Sequence, residues 1–196
     1  ISLVLALTIS LAGISYTGTV DAASHTYELE WGKAGISKPG LFLSPQHLDF
    51  DSENNVYVTD LGNARVQKFD SNGNFLTEWG SRGSDAGQFG HPTGIAISDE
   101  FVFVTDNKNH NIHKFDLNGN FISKWGGFGS DNGFFKSPRG ITVSNENFVY
   151  VVDSGNARIQ KFTSNGEYVS HFGQSGVRGG NFVSPVDLAI NSDRIF

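Results

Sequence analysis

His47 and Asp187 are the two residues of this chain whose type and position suggest chemistry done together: each stands two places after a proline, Pro45 and Pro185. An imidazole within reach of a carboxylate can act as a general base or contribute to a metal site. One His and one Asp fall short of the usual three or four metal ligands, and a lone loop histidine also reads as polar surface. Gln46, Thr93 and Arg139 follow their own prolines directly, and Lys108 lies in a later loop. These offer hydrogen bonds and positive charge suited to holding a protein, peptide or glycan. Asp60 with Arg65, and Asp153 with Arg158, repeat the spacing Asp-x-x-Asn-x-Arg. That spacing fits a catalytic acid beside an arginine. It also fits a loop clasp, in which Asn takes a tight turn and the guanidinium grips the carboxylate. His110 and His113 are three apart, which on a strand puts them on opposite faces. His25, His91 and His171 show no partner pattern. Gly-x-Ser-x-Gly and His-Glu-x-x-His are both absent, so no catalytic residue, metal-ligand set or cofactor is predicted.

The elements that position these residues follow from a period. Pro45, Pro92, Pro138 and Pro185 recur at intervals of 47, 46 and 47 residues. Four short apolar runs follow each complete interval. In the second unit they are Gly94–Ile97, Phe101–Asp106, Asn111–Phe115 and Phe121–Gly126. Their length and their Val, Ile, Phe and Tyr content suit strands, and Asn-Gly pairs between the third and fourth runs supply hairpin turns. Each unit therefore reads as a four-stranded antiparallel meander. The second run is apolar on both faces, with Phe101 and Phe103 on one and Val102 and Val104 on the other. It needs a sheet above and another below, which radial repetition provides. A sandwich would show stricter in-and-out alternation.

The fixed elements Phe-x-x-Pro-x-Gly-Ile, Val-Tyr-Val-x-Asp, Asn-x-Arg-Ile-Gln-Lys-Phe and Asn-Gly-x-Phe resemble NHL repeats over about residues 27–196. The resemblance implies an all-β fold, a β-propeller of four-stranded antiparallel blades, six when complete, of the secreted prokaryotic type. It places repeats at about 42–80, 89–126 and 135–173, a truncated one at 182–196, and an outer strand at 27–32. Propellers similar to NHL proteins include lyases and hydrolases that hold a metal in the central channel, for which His47 and Asp187 are the residues on offer here. Other relatives bind RNA through a basic face.

Recurrence separates scaffold from candidate site. Trp31, Trp79 and Trp125, with Phe172 in the next slot, each precede a glycine. An exposed aromatic column could bind sugars or peptides, but a ring found in every unit is expected to pack between blades. The glycine-rich stretches 80–87 and 126–133 lack the features of phosphate and calcium loops and read as flexible connections. The positions after each proline, and the loops Leu61–Asn63, Asn107–Asn109 and Ser154–Asn156, share one face and vary. Specificity is expected there, by analogy with other propellers.

Residues 1–22 read as the apolar core and cleavage region of a secretory signal, the alternatives being an uncleaved anchor or a buried strand. Residues 23–196 form the partial propeller. Ile1 is not Met, and the sequence stops inside the expected second strand of a fourth blade, so a longer gene product is expected. The chain has no cysteine and therefore neither disulfide nor thiolate ligand. With 20 acidic against 14 basic residues it carries a net charge of −6, which disfavours a nucleic-acid grip. The expected function is an exported scaffold that binds a protein, peptide or glycan through its loop face. No stable membrane span is expected in the mature chain. The alternative is a propeller enzyme.

Overall fold

The computed structural model describes residues 31–36, 38–191 and 194–195. The expected secretory signal and most of the expected outer strand at 27–32 lie outside these residues. Trp31 and Gly32, its last two residues, lie outside any strand.

A short parallel pair, β1 (Lys33–Ala34) and β2 (Leu41–Phe42), leads into blade 1. Blade 1 is β3 (Pro45–Phe50), β4 (Val56–Asp60), β5 (Arg65–Phe69) and β6 (Phe75–Trp79). Blade 2 is β7 (Pro92–Ile97), β8 (Phe101–Asp106), β9 (Asn111–Asp116) and β10 (Phe121–Gly126). Blade 3 is β11 (Pro138–Val143), β12 (Phe148–Asp153), β13 (Arg158–Thr163) and β14 (Tyr168–Phe172). Within each blade the strands pair antiparallel in chain order. A hairpin, β15 (Ile190–Asn191) with β16 (Arg194–Ile195), begins a fourth. Each inner strand opens on its proline, a position where the missing N–H is tolerated.

The cores lie between blades, as the two-faced second strand requires. Val102 and Val104 pack with Tyr57, Val66 and Phe89 toward blade 1, while Phe103 packs with Val149, Val151 and Phe162 toward blade 3. The tryptophans seal these seams. Trp79 meets Tyr57 and Phe115, and Trp125 meets Phe103 and Phe162. Each ring also lies flush on the hairpin glycine of the following blade: Trp31 on Gly73, Trp79 on Gly119 and Trp125 on Gly166. Those glycines have φ of 80–86°, while the Asn before each keeps negative φ. The turn is therefore one positive-φ glycine with a bulge in the adjoining ladder, rather than a two-residue turn with both residues left-handed. A side chain at these glycines would meet both backbone strain and the indole.

The glycine-rich connections are not loose, as the sequence suggested. Phe89 N–H donates to Ser81 O at 2.8 Å and Gly83 N–H to Phe89 O at 3.0 Å, making a short parallel bridge that recurs at Phe128–Phe135 and Ser175–Phe182. Backbone polar groups in a half-buried connection need such partners.

Candidate functional site

The inner strands start at one end of the channel, and the loops after β4, β8 and β12 return to the same end. Much of this loop face is spent on architecture. Asp60 is fully buried: one carboxylate oxygen accepts Leu43 N–H at 2.7 Å, the other accepts Asn63 Nδ2 at 2.8 Å, Arg65 Nε at 3.0 Å and Gln67 Nε2 at 3.2 Å. Arg65 reaches on to Glu78 and to the carbonyls of Lys38 and Leu41. Asp153, Asn156, Arg158 and Gln160 repeat the same network in blade 3. The Asp–Arg spacing is thus the clasp, tying blades 1 and 3 to their lead-in segments with charge-assisted bonds.

Blade 2 departs further than Asn111 alone indicates. Asp106 still accepts Gly90 and His91 N–H and Asn109 Nδ2. His113, however, stands where Gln67 and Gln160 stand, fully buried against Phe89 and Phe115. Neither of its ring nitrogens has a hydrogen-bond partner among the described residues, nor has Asn111 Oδ1. Burial lowers the His113 pKa to about 4, so the ring is neutral. His110 lies just before the strand in a left-handed turn (φ 58°), its Nδ1 accepting Ser137 N–H at 3.1 Å. The two histidines therefore do not share a strand. His171 pairs with the Tyr168 hydroxyl at 2.7 Å.

Of the predicted site residues, the structure joins His47 and Asp187. Their Nε2 and Oδ2 lie 3.5 Å apart, linking blade 1 to the start of blade 4, at 33% and 55% side-chain exposure. His47 Nδ1 lies 3.2 Å from Ile95 O on blade 2. The bond to Asp187 raises the histidine pKa above 6.5 against the opposing effect of burial, and lowers that of Asp187. Gly140 makes room: a side chain there would collide with Asp187. Asp49, one turn of the pleat below His47, accepts Ile97 N–H at 2.8 Å, and burial raises its pKa.

Thr93 belongs to the scaffold. Its hydroxyl meets Thr105 Oγ1 at 2.9 Å, and its carbonyl accepts the Thr59 hydroxyl at 2.7 Å across the seam between blades 1 and 2. Thr105 repeats that tie to Arg139 O at 2.6 Å. Val152 stands at this place in blade 3, and Gly140 N–H there donates directly to Val186 O at 2.9 Å. Gln46, Lys108 and Arg139 are exposed. Gln46 Nε2 turns back to the carbonyls of Ser44 and Pro45. The side chains of Lys108 and Arg139 have no hydrogen-bond or charged partner among the described residues. Two donors at His47 and Asp187, already bonded to each other, do not suit a metal, and no group of three such side chains converges among the described residues.

Four-stranded meanders stacked radially, with their cores between blades and variable residues at one channel mouth, define a β-propeller. Residues 42–69, 89–115 and 135–162 match the NHL repeat, so the chain carries three NHL repeats. It is 30% identical over 71 residues to Protein brain tumor of Drosophila melanogaster, covering 36% of this chain and 7% of that protein. A catalytically inactive virginiamycin B lyase from Staphylococcus aureus, solved with quinupristin, superposes with a TM-score of 0.54 at 20% identity, covering 74% of this chain and 45% of that one. A chain of a nidogen/laminin complex gives 0.54 at 20%, covering 74% and 51%. This chain thus spans under a tenth of the first relative and about half of each solved chain, and the structural likenesses speak to fold alone. Among the described residues no helix is long and apolar enough to cross a membrane.

Proposed function

We propose that this chain is part of an exported binding scaffold that holds a protein, peptide or glycan on its loop face. One observation carries the reading. The polar residues that recur from blade to blade are buried in clasps and seam ties, whereas Lys108 and Arg139, which do not recur, are exposed on that face with no side-chain partner among the described residues. Two unpaired cations suit a partner bearing carboxylates or other anionic groups. The likeness to a nidogen/laminin complex supports a binding role for such a fold, and the apolar stretch within residues 1–22 supports export. The enzyme reading draws on the likeness to a lyase and on the His47–Asp187 pair, but among the described residues no nucleophilic side chain bonds the imidazole or the carboxylate of that pair.

The test is a Lys108→Ala/Arg139→Ala variant of the full-length protein, cross-linked at the native cell surface beside the wild type. Captured partner should fall by about tenfold, the loss of one or two charge-assisted contacts, with the melting temperature unchanged. Equal capture by the two proteins would remove the loop face as the site. Protease shaving of intact cells tests export: a protein protected from protease outside the cell would overturn it.

A further inference from the structure

The opposite mouth of the channel holds a cavity of about 290 Å³. It lies where β3, β7 and β11 end and turn into the second strands, so it is separated from the loop face by the length of the inner strands. Its size sits at the lower end of small-molecule sites, about 300–1,000 Å³, and suits a single ring better than a chain segment.

The lining has a particular composition. Phe50 is 38% exposed there. The corresponding residues of the other blades are Ile97, Val143 and Ile190, so blade 1 alone of these four ends its inner strand on an aromatic ring, and that ring lines the cavity. Scaffold demands are met by aliphatic side chains at that place, and the ring is surplus to them. Around it stand Ser52, Asp99, Asn145 and Asn147, whose side chains make no hydrogen bond among the described residues. Ser98 closes the wall but is committed, its Oγ accepting Phe101 N–H at 3.0 Å. Asp51 is likewise committed, to Asn55, the Tyr57 hydroxyl and Lys68.

What remains is one aromatic face, one carboxylate, two carboxamides and a hydroxyl around a small hollow. A divalent cation wants six or more oxygens with several carboxylates, and Asp99 is the one uncommitted carboxylate. An anion would meet Asp99 and no cation. An apolar ligand would strand the carboxamides. A polyhydroxylated ring fits all of these groups: its C–H face lies on the negative face of the phenyl ring, and its hydroxyls pair with both donors and acceptors. We propose that this mouth binds a neutral sugar ring, stacked on Phe50 and hydrogen-bonded by Asp99, Asn145 and Asn147.

Saturation-transfer NMR on the full chain tests it, with glucose, N-acetylglucosamine, cellotriose and maltotriose as probes and calcium chloride as a competitor. At least one sugar should receive saturation at its ring C–H protons and be insensitive to calcium. Phe50→Ile, which installs the residue of blade 2, should raise Kd by about tenfold, the worth of one aromatic contact. Phe50→Trp should retain binding, and Asp99→Ala should weaken it while leaving the melting temperature alone. No transfer to any of the four sugars overturns the proposal. So does equal affinity in Phe50→Ile, or displacement of the sugar by calcium. Lys108→Ala/Arg139→Ala should bind sugar as the wild type does, which keeps this site separable from the loop face.

Discussion

At the scale of residues, His113 is the clearest cost in the scaffold. A buried polar group without a partner costs about 1–3 kcal/mol, and among the described residues blade 2 holds such groups at His113 and Asn111. Asn111→Arg with His113→Gln restores the side chains of blades 1 and 3, and should raise unfolding free energy by about 1–3 kcal/mol in a urea titration. The pH dependence carries a sign. The folded His113 pKa is lowered to about 4 from 6.5, so the unfolded chain binds more protons between those values. The wild type should lose stability as pH falls from 6.5 toward 4, and His113→Gln should remove that slope. The exchange of Gln67 and Gln160 for a histidine was open to view at one fixed offset of the repeat. Its burial was not, because burial depends on Phe89 of the lead-in segment. The same applies to Thr93, which reads as a variable loop residue until the neighbouring blade claims its carbonyl. Phe50 stands where the other blades carry Ile or Val, but nothing in the sequence placed that end of the strand beside a cavity.

Strands and turns were the most readable level, since a period of 46 or 47 residues repeats each signal. The connections were misjudged, because glycine content says nothing of the backbone bonds that bridge Arg82 to Phe89. The seam between inner strands offers a test at this level. Thr105 links β7 to β11 through its hydroxyl, yet blade 3 makes its seam with Val152 and a direct backbone bond from Gly140. Thr105→Val should therefore cost no more than about 1 kcal/mol, the worth of an ordinary hydrogen bond, because Gly94 N–H can turn to the next strand as Gly140 does. Chemical denaturation checks this; a loss of several kcal/mol would mean that the two seams are not interchangeable.

Across the whole molecule, the His47–Asp187 pair is the one ion pair among the described residues that joins blade 1 to blade 4. It is strongest when both partners are charged. Its contribution is lost as pH rises through the raised His47 pKa, and as pH falls through the lowered pKa of Asp187. In an NMR titration, Asp187→Asn should bring the His47 pKa down toward or below 6.5; an unchanged value would show that the two side chains do not meet in solution. The tryptophan seams bear on how such a chain is made. On a growing polypeptide each outer strand is finished about forty residues before the hairpin that its indole must cover, as with Trp79 and Gly119. At every stage of translation the newest segment therefore presents a bare aromatic ring, a tryptophan until Phe172 takes the slot in blade 3. Synthesis passes that exposed ring from blade to blade, so the nascent protein is always one blade short of being sealed.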